Sequence, residues 1–181
     1  MSIRYVILGY LSWRPLSGYD LKKLIADSVA FYWSGNNNQI YTTLVELHRG
    51  GAVTNEVQPQ EHLPARKVYS ITEQGRAELQ VWLRTPPEQP QVRSQFLAQL
   101  AWADLLTSAE LDTLLAQYES EAEMQVLMCR EQERRGDVRP ARSLREVYLW
   151  KMIAQNRIDF HQHELAWVRR MRSELTSEAA T

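Results

Sequence analysis

Apolar residues recur at helical spacing along the first part of the chain. The pattern predicts a first helix over about residues 2–12, which Pro15 ends, and a second helix capped by Ser17. Asp20 follows Ser17 at the spacing of a capping box. The second helix is expected to end near residues 31–33. Its buried stripe is expected to consist of Leu21, Leu24, Ile25 and Val29.

A third helix is predicted with a polar beginning and a glycine end. Asparagines at positions 36–38 can cap its first turn, and Gly50 and Gly51 can take the left-handed conformation that ends a helix. One face is apolar at the spacing i, i+4, i+7, with Ile40, Leu44 and Leu47. The other face carries Asn37, Gln39, Tyr41, Thr42, Val45, Glu46 and Arg49. Such side chains read base edges and hold phosphates, so the pattern predicts a DNA recognition helix.

After Gly51 the hydrophobic pattern changes to the period of a strand. Two strands are predicted, at 52–57 and 66–71, around a proline-containing loop, and Thr72 caps a fourth helix. Helix, helix, helix, strand, strand, helix is the order of a winged helix-turn-helix. Arg66 and Lys67 lie on the hairpin, where a wing can reach the DNA backbone. The alternative is that both are solvated charges that protect an edge strand.

Three prolines at positions 86, 87 and 90 predict a domain boundary, so we expect domains at 1–85 and 86–181. The second domain is expected to be helical throughout. One amphipathic helix is predicted over 92–106 and a second, capped by Ser108, continues through 130–135. A last helix is predicted from about Ser143 to Glu174. The fold class is therefore mainly α, a winged helix-turn-helix followed by a helical dimerisation domain.

The two long helices carry apolar stripes near heptad spacing. The first stripe comprises Leu111, Leu115, Tyr118, Ala122, Gln125 and Cys129, and the second comprises Ala154, Ile158, His161, Leu165 and Val168. Two such seams exceed what a three-helix unit is expected to bury, so they predict a homodimer. The alternative is a self-contained three-helix bundle.

Composition and charge narrow the class of protein. Hydrophobic residues make up 44% and charged residues 24%, as in a folded soluble protein. Residues 1–85 carry nine basic and seven acidic residues, a charge of +2, and residues 86–181 carry twelve and fifteen, a charge of −3. This asymmetry fits a binding head and a non-binding body. The single cysteine suits a reducing cytoplasm, and neither a membrane helix nor a signal peptide is expected.

Four segments of the first half resemble the PadR family of bacterial transcriptional regulators. They are 7–11 (ILGYL), 15–21 (PLSGYDL), 39–44 (QIYTTL) and 67–76 (KVYSITEQGR). The second half, around 96–100 and 103–106, resembles the helical domain of the larger PadR subgroup, which includes a virulence activator.

The resemblance implies a homodimer whose C-terminal helices embrace and whose third helices enter major grooves of a near-palindromic operator. It implies DNA contacts by Tyr41, by polar residues near the helix start, and by the wing near Arg66 and Lys67. Some relatives bind flat aromatic ligands, and several repress detoxification or efflux genes. This chain departs from the family pattern before the wing strand, at Leu63-Pro64-Ala65, and at Thr42, where many members have proline.

The candidate site residues follow from these patterns. Gln39 can pair with adenine, Tyr41 can donate to a phosphate, and Lys22 and Lys23 lie on a helix that crosses the backbone in this motif. For DNA binding we therefore expect Asn37, Asn38, Gln39, Tyr41, Thr42, Lys22, Lys23, Arg66 and Lys67. A pocket for a small aromatic effector is expected at Trp102, Tyr148, Trp150 and Met152, which alternatively serve as core or dimer-interface residues.

No catalytic motif and no metal or cofactor motif stands out, and His161 and His163 point about 200° apart on a helix, too far to share an ion. We therefore expect no cofactor and no enzyme. The predicted function is a sequence-specific, homodimeric regulator that binds double-stranded DNA and acts as a repressor. The alternatives are an activator of the same fold and a protein–protein adaptor that uses the winged helix without DNA.

Overall fold

The computed structural model describes residues 3–28, 37–60, 63–88, 94–135 and 141–178. The chain divides into two units, Met1–Glu88 and Gln89–Thr181. Each unit has its own hydrophobic core. None of the helices in the described ranges combines the length and apolarity that a membrane span requires.

The N-terminal unit is a winged helix, as the order of sequence patterns predicts. Its elements are α1 (Ile3–Leu11), β1 (Leu16–Ser17), α2 (Gly18–Ala26), α3 (Asn37–Arg49), β2 (Val53–Gln60), β3 (Leu63–Ile71) and α4 (Glu73–Leu83). The strands form an antiparallel sheet in the order β1-β3-β2. The two-residue strand β1 is not predicted from the sequence, because it is too short to produce a period.

The predicted apolar stripes of the three helices meet in one core. Ile7 of α1, Leu21 of α2 and Leu44 of α3 are each 0% exposed. The second helix ends earlier than expected, at Ala26, where Asp27 is the C-cap. Asp and Ser side chains compete for backbone hydrogen bonds, and Asp27-Ser28 therefore interrupts the helix. The expected end at 31–33, with Val29 and Asn36, lies outside the described residues.

Specific hydrogen-bonded caps mark the beginning of α2, the beginning of α4 and the end of α3. The capping box of Ser17 and Asp20 and the Thr72 cap of α4 are confirmed. At the end of α3, Gly51 has φ 77, and the Ala52 N–H donates to the Leu47 carbonyl at 2.9 Å. This is the left-handed ending predicted from the two glycines, with Gly51 as the residue that adopts it.

The end of α3 is also bonded to the start of α4. The Thr72 hydroxyl donates to the Gly51 carbonyl at 2.8 Å, and the Gln74 side-chain amide donates to the Gly50 carbonyl at 2.8 Å. These bonds satisfy carbonyl groups that a helix end leaves without partners inside the helix.

The C-terminal unit is helical, with α5 (Gln95–Leu100), a short 3-10 helix (Ala103–Leu105), α6 (Ser108–Arg135) and α7 (Leu144–Glu178). The single helix expected over 92–106 is wrong, because α5 stops at Leu100 and Trp102 has φ −118 and ψ 11. The nearly continuous apolar run there does not define one buried face, so periodicity could not locate the break.

The long helices begin at caps that hydrogen bonds identify. Thr107, and not Ser108, caps α6, since its hydroxyl accepts from the Glu110 N–H at 3.3 Å while the Glu110 carboxylate accepts from the Thr107 N–H at 2.8 Å. Ser143 caps α7 by accepting from the Glu146 N–H at 3.1 Å. Helix α7 continues to Glu178, beyond the expected end at Glu174.

The predicted stripes of α6 and α7 pack against each other within one chain. The helices are antiparallel, because Asp112 near the start of α6 pairs with Arg172 near the end of α7. Their buried residues include Leu115, Ala122 and Cys129 on α6, and Ala154, Ile158 and Val168 on α7. The argument that these seams need a partner chain to cover them is therefore wrong. A different apolar set is exposed, comprising Met124, Leu127, Met128, Leu144, Val147, Tyr148, Leu149, Met152, Ile153 and Phe160.

Candidate nucleic-acid interface

Helix α3 presents one line of exposed side chains opposite its buried stripe. Asn38, Thr42, Val45 and Arg49 are all exposed and follow the spacing i, i+4, i+7, i+11. We call these four residues the reading line. The expected site residues include Asn38 and Thr42 but not Val45 or Arg49, although the same spacing identifies all four. Asn37 starts the helix, and its side chain lies outside the described residues.

Thr42 is fixed by its own helix. Its hydroxyl donates to the Asn38 carbonyl at 3.0 Å, so the hydroxyl proton is already used. The side chain therefore offers solvent an oxygen acceptor and a methyl group. Back-bonding of this kind is available to threonine within a helix.

Gln39 and Tyr41 lie on opposite sides of the reading line. Gln39 is exposed, and Tyr41 is 46% exposed. The Tyr41 ring lies against the first residue of α2, because a Cβ built on Gly18 would come 2.5 Å from Cε1 of Tyr41. Burial raises the pKa of the nearby Tyr69 hydroxyl, and the negative charge that Tyr41 can acquire raises it further. Tyr69 therefore remains a neutral hydrogen-bonding group at physiological pH.

The two basic residues of the wing have different surroundings. Lys67 is exposed and pairs across the hairpin with Val57, which is 53% exposed. The Arg66 guanidinium instead forms an ion pair with Asp20 of α2. The structure thus leaves Lys67 accessible and engages Arg66 with the helical body. A phosphate contact by either residue stays a prediction.

Asp20 is held by three donors. Its Oδ2 atom accepts from the Ser17 N–H at 3.0 Å, from the Ser17 hydroxyl at 2.9 Å, and from Arg66. Burial alone would raise the pKa of Asp20, but the Ser17 hydrogen bonds and the Arg66 charge outweigh it and lower that pKa below its usual value. The carboxylate is therefore ionised at neutral pH.

Helix α2 adds further exposed groups, one in its first turn and two near its middle. Lys22 and Lys23 are exposed, and Tyr19 is 70% exposed. The accessible lysines agree with either of the two readings of the sequence, a phosphate contact or a solvated face. Their contact with DNA also stays a prediction.

Three of the four expected effector residues are exposed in the C-terminal unit. Trp102 is 74%, Tyr148 60% and Met152 40% exposed, while Trp150 is half-buried. Two hollows of about 380 and 390 Å³ have other linings. The larger lies between α6 and α7, with Glu123, Val126, Leu127, Arg130, Gln162, Leu165, Ala166 and Arg169. The effector pocket stays a prediction.

Metal-binding groups are also absent from the described ranges, where no cluster of three or more His, Cys, Asp or Glu side chains occurs. His161 is half-buried, and burial lowers its pKa.

Two family models match successive parts of the chain. The model described as "Transcriptional regulator PadR-like family" matches residues 7–81, and the model described as "Virulence activator alpha C-term" matches residues 92–176. The first unit thus carries a PadR-like domain, and the second carries a C-terminal domain of the virulence-activator type. This confirms the family resemblance of both halves.

Individual PadR proteins are similar along the chain and in fold. The negative transcriptional regulator PadR of Bacillus subtilis (strain 168) is 31% identical over 113 residues, which cover 62% of this chain and 62% of that protein. The match therefore spans less than two thirds of that relative's own length. The crystal structure of Bacillus subtilis PadR in complex with operator DNA has a TM-score of 0.82 at 22% identity, covering 96% of this chain and 98% of that one.

A third similarity is to a regulator with a different effect. The structure of the Vibrio cholerae virulence activator AphA has a TM-score of 0.70 at 26% identity, covering 98% of this chain and 99% of that one. Together these structures confirm the mainly α fold, a winged helix followed by long helices.

Proposed function

We propose that this protein is a sequence-specific, DNA-binding transcriptional repressor that binds a near-palindromic operator as a homodimer in the cytoplasm. The observation that carries the proposal is the reading line of α3, four exposed side chains directly opposite a stripe that is fully buried. A helix that packs one face against its own domain can place the opposite, exposed face in a groove of DNA. The relative from Bacillus subtilis is itself named a negative regulator and has a structure with operator DNA.

The proposed roles follow from side-chain chemistry. Asn37, Asn38, Gln39 and Thr42 read base edges, with Gln39 suited to adenine, and Tyr41 donates to a phosphate. Lys22, Lys23 and Lys67 neutralise phosphates, which supplies affinity that α3 alone lacks. Residues 1–85 form the DNA-binding domain, and residues 86–181 form the dimerisation domain. The proposal assigns no enzymatic reaction to the chain.

The homodimer is supported by the exposed apolar set on α6 and α7. Leu127 is 55%, Met128 50%, Tyr148 60% and Leu144 92% exposed, although both helices already bury another face against each other. Apolar surface of this extent favours association, and a second copy provides a self-complementary partner. Two recognition helices would then meet half-sites about 34 Å apart and occlude a promoter.

The proposal includes a small aromatic effector. Trp102, Tyr148 and Met152 supply exposed aromatic and polarisable surface beside the half-buried Trp150, and a partner chain would complete a pocket around them. A structure of Bacillus subtilis PadR contains p-coumaric acid, which supports a ligand of that chemical class. A ligand that changes the distance between the two DNA-binding domains would uncouple the half-sites, since both must bind together.

A gel shift with the full-length protein and the DNA upstream of its own gene tests the proposal. We expect a shift of this fragment at moderate salt and none of an unrelated fragment of equal length. Gln39→Ala and Tyr41→Ala should each move the shift to higher protein concentration, whereas Gln80→Ala, at an exposed glutamine of α4, should not. The absence of any shift by the unaltered protein would contradict the proposal. If Gln39→Ala and Tyr41→Ala keep the biological activity of the unaltered protein, that result would instead favour a protein–protein adaptor that does not bind DNA.

An activator of the same fold is the second candidate, because the similar Vibrio cholerae protein is a virulence activator. The position of the DNA that the bound protein protects from cleavage separates the repressor from the activator. A repressor protects the promoter itself, whereas an activator protects DNA upstream of it.

A further inference from the structure

The first turn of α2 contacts both parts of the N-terminal unit that we assign to DNA. Gly18 lies against the Tyr41 ring of α3, and Asp20 pairs with Arg66 of the wing. Strand β1, directly before this turn, pairs with β3 through Leu16↔Tyr69 and Ser17↔Val68. A four-residue segment, 17–20, therefore joins the recognition helix to the wing.

The Asp20 carboxylate is the fixed member of the ion pair, so the pair forms only where the Arg66 guanidinium reaches that position. The Asp20 carboxylate is held in the capping box by both donors of Ser17, so it cannot follow a moving guanidinium. The Nε atom of Arg66 is buried and has no hydrogen-bond partner among the described residues. A donor left buried in this way is costly, which indicates that Arg66 is drawn into place by Asp20 and not merely resting on the surface.

The position of Arg66 on the wing gives the pair its effect. Val68 is the point at which β3 pairs with Ser17 of β1, and Arg66 lies two residues before it on β3, toward the tip of the hairpin. There β3 pairs with β2 at Gln58↔Arg66, just before the register shift between Gln58 and Gln60. The ion pair thus extends the attachment of the wing beyond the end of β1.

We propose that Asp20 is a positioning residue for DNA binding, which acts through Arg66 to hold the wing at a fixed angle to the recognition helix. Arg66 is then a brace and not a phosphate ligand, and Lys67 beside it makes the wing contact. This inference rests on the proposed DNA-binding function.

The proposal predicts a change in DNA affinity that is opposite in sign to the change expected from charge repulsion alone. Removing a carboxylate near a DNA-facing surface should strengthen binding, because it removes repulsion and frees an arginine for a phosphate. If Asp20 positions the wing, its neutralisation instead weakens binding, because the wing must be ordered when DNA binds. The sign of the change therefore separates the two accounts.

The test measures the affinity of the full-length protein for its upstream DNA by fluorescence anisotropy over a range of salt concentrations. Asp20→Asn keeps an oxygen for the cap and removes the charge, whereas Asp20→Glu keeps the charge and the capping box. Arg66→Gln removes the brace, and Lys67→Gln is the matched control on the same strand. Thermal unfolding of each variant checks the fold.

We expect Asp20→Asn and Arg66→Gln to weaken binding by about two- to thirtyfold with an unchanged salt slope, the range expected when both heads of a dimer lose a partly exposed ion pair. Their double variant should be no weaker than the weaker single variant, because both remove one interaction. Asp20→Glu should stay within about threefold of the unaltered protein. Lys67→Gln should reduce the salt slope by about 0.9 for each lost contact.

Tighter binding by Asp20→Asn would overturn the inference, and so would a fall in salt slope for Arg66→Gln equal to that for Lys67→Gln. If Asp20→Asn unfolds, Arg66→Gln decides the question, because Arg66 is not part of the helix cap. Failure of the unaltered protein to bind DNA would overturn the proposed function and this inference with it. Binding by the unaltered protein with the wrong sign for Asp20→Asn would overturn the inference alone.

Discussion

The Tyr41 ring occupies the space in which a side chain at Gly18 would lie, since an added Cβ would stand 2.5 Å from Cε1 of Tyr41. A side chain at the start of α2 would therefore displace the ring of a residue of the recognition helix. We predict that Gly18→Ala turns the Tyr41 ring outward and weakens DNA binding by about tenfold, the loss of one good hydrogen bond to a charged phosphate. The melting temperature should change little, because the ring is 46% exposed and free to move.

Gly9→Ala is the matched control for this substitution. An added Cβ at Gly9 meets nothing within 4 Å, and alanine should stabilise the interior of α1 by about 0.5–1 kcal/mol. We expect its DNA affinity to be unchanged. Equal loss of binding in both variants would show that the Gly18–Tyr41 contact has no special role.

Val45 gives a prediction about sequence preference. It is 52% exposed in the middle of the reading line, where an apolar side chain can contact a thymine methyl group. Replacing thymines of the operator one at a time by deoxyuridine should cost about 0.8 kcal/mol at one position of each half-site, the value of a buried methyl. Val45→Ser should lose that sensitivity, whereas Val81→Ser on α4, also at an exposed valine, should retain it.

The low pKa of Asp20 predicts how stability depends on pH. Hydrogen bonds from Ser17 and the Arg66 charge, acting against burial, hold the folded-state pKa below the unfolded value of about 4. A group of this kind stabilises the fold fully above its unfolded pKa, and that contribution is lost as pH falls through the folded pKa. The free energy of unfolding of the unaltered protein should therefore exceed that of Asp20→Asn at pH 7, and the difference should shrink below about pH 4. Urea unfolding between pH 7 and pH 3 measures this, and a constant difference would contradict it.

The packing of Phe96 gives a prediction about the free energy of unfolding of the C-terminal unit. It is 6% exposed, stacks on Tyr118 with ring centroids 3.6 Å apart, and meets the edge of Trp167 at 6.0 Å. Phe96→Ala should destabilise this unit by about 3–5 kcal/mol, as seen for buried phenylalanines in general. Leu97→Ala, at a neighbour that is 47% exposed, should cost much less. Urea unfolding of the full chain with tryptophan fluorescence compares the two, and equal losses would refute the packing role of Phe96.

The exposed set on α6 and α7 predicts the oligomeric state. Leu127→Glu places a charge on an apolar surface, so it should convert a dimer to a monomer and weaken operator binding in parallel. Thr113→Glu adds the same charge to α6 at an exposed polar position and should leave the dimer intact. Sedimentation velocity distinguishes these outcomes. A Leu127→Glu protein that sediments as the unaltered one does would exclude this surface.

The sequence predicted those elements whose signals come from residues a few positions apart in the chain. The stripe of Ile40, Leu44 and Leu47 located α3, and the capping box at Ser17 located α2, because both depend on neighbours a few positions away. The same kind of signal was available at Thr107 and Glu110, which have capping-box spacing and correct the cap of α6.

Contacts between distant residues could not be predicted in this way. The pairing of Arg66 with Asp20 joins positions 46 residues apart, and a basic residue on a wing has the same local pattern whether it faces DNA or an aspartate. The seams of α6 and α7 illustrate the same point. Heptad spacing identifies the buried face of a helix, but it does not specify whether the covering helix belongs to the same chain or to another.

The two hydrogen bonds from Thr72 and Gln74 to the carbonyls of Gly51 and Gly50 have a mechanical consequence. They fasten the far end of α3 to the beginning of α4, which is the last helix before the chain leaves the N-terminal unit. A torque that reaches α4 along the chain therefore acts on α3 at its glycine end, which is the end opposite to Gln39 and Tyr41. Under the proposed function, such a torque would tilt the recognition helix in its groove without altering any side chain that reads DNA.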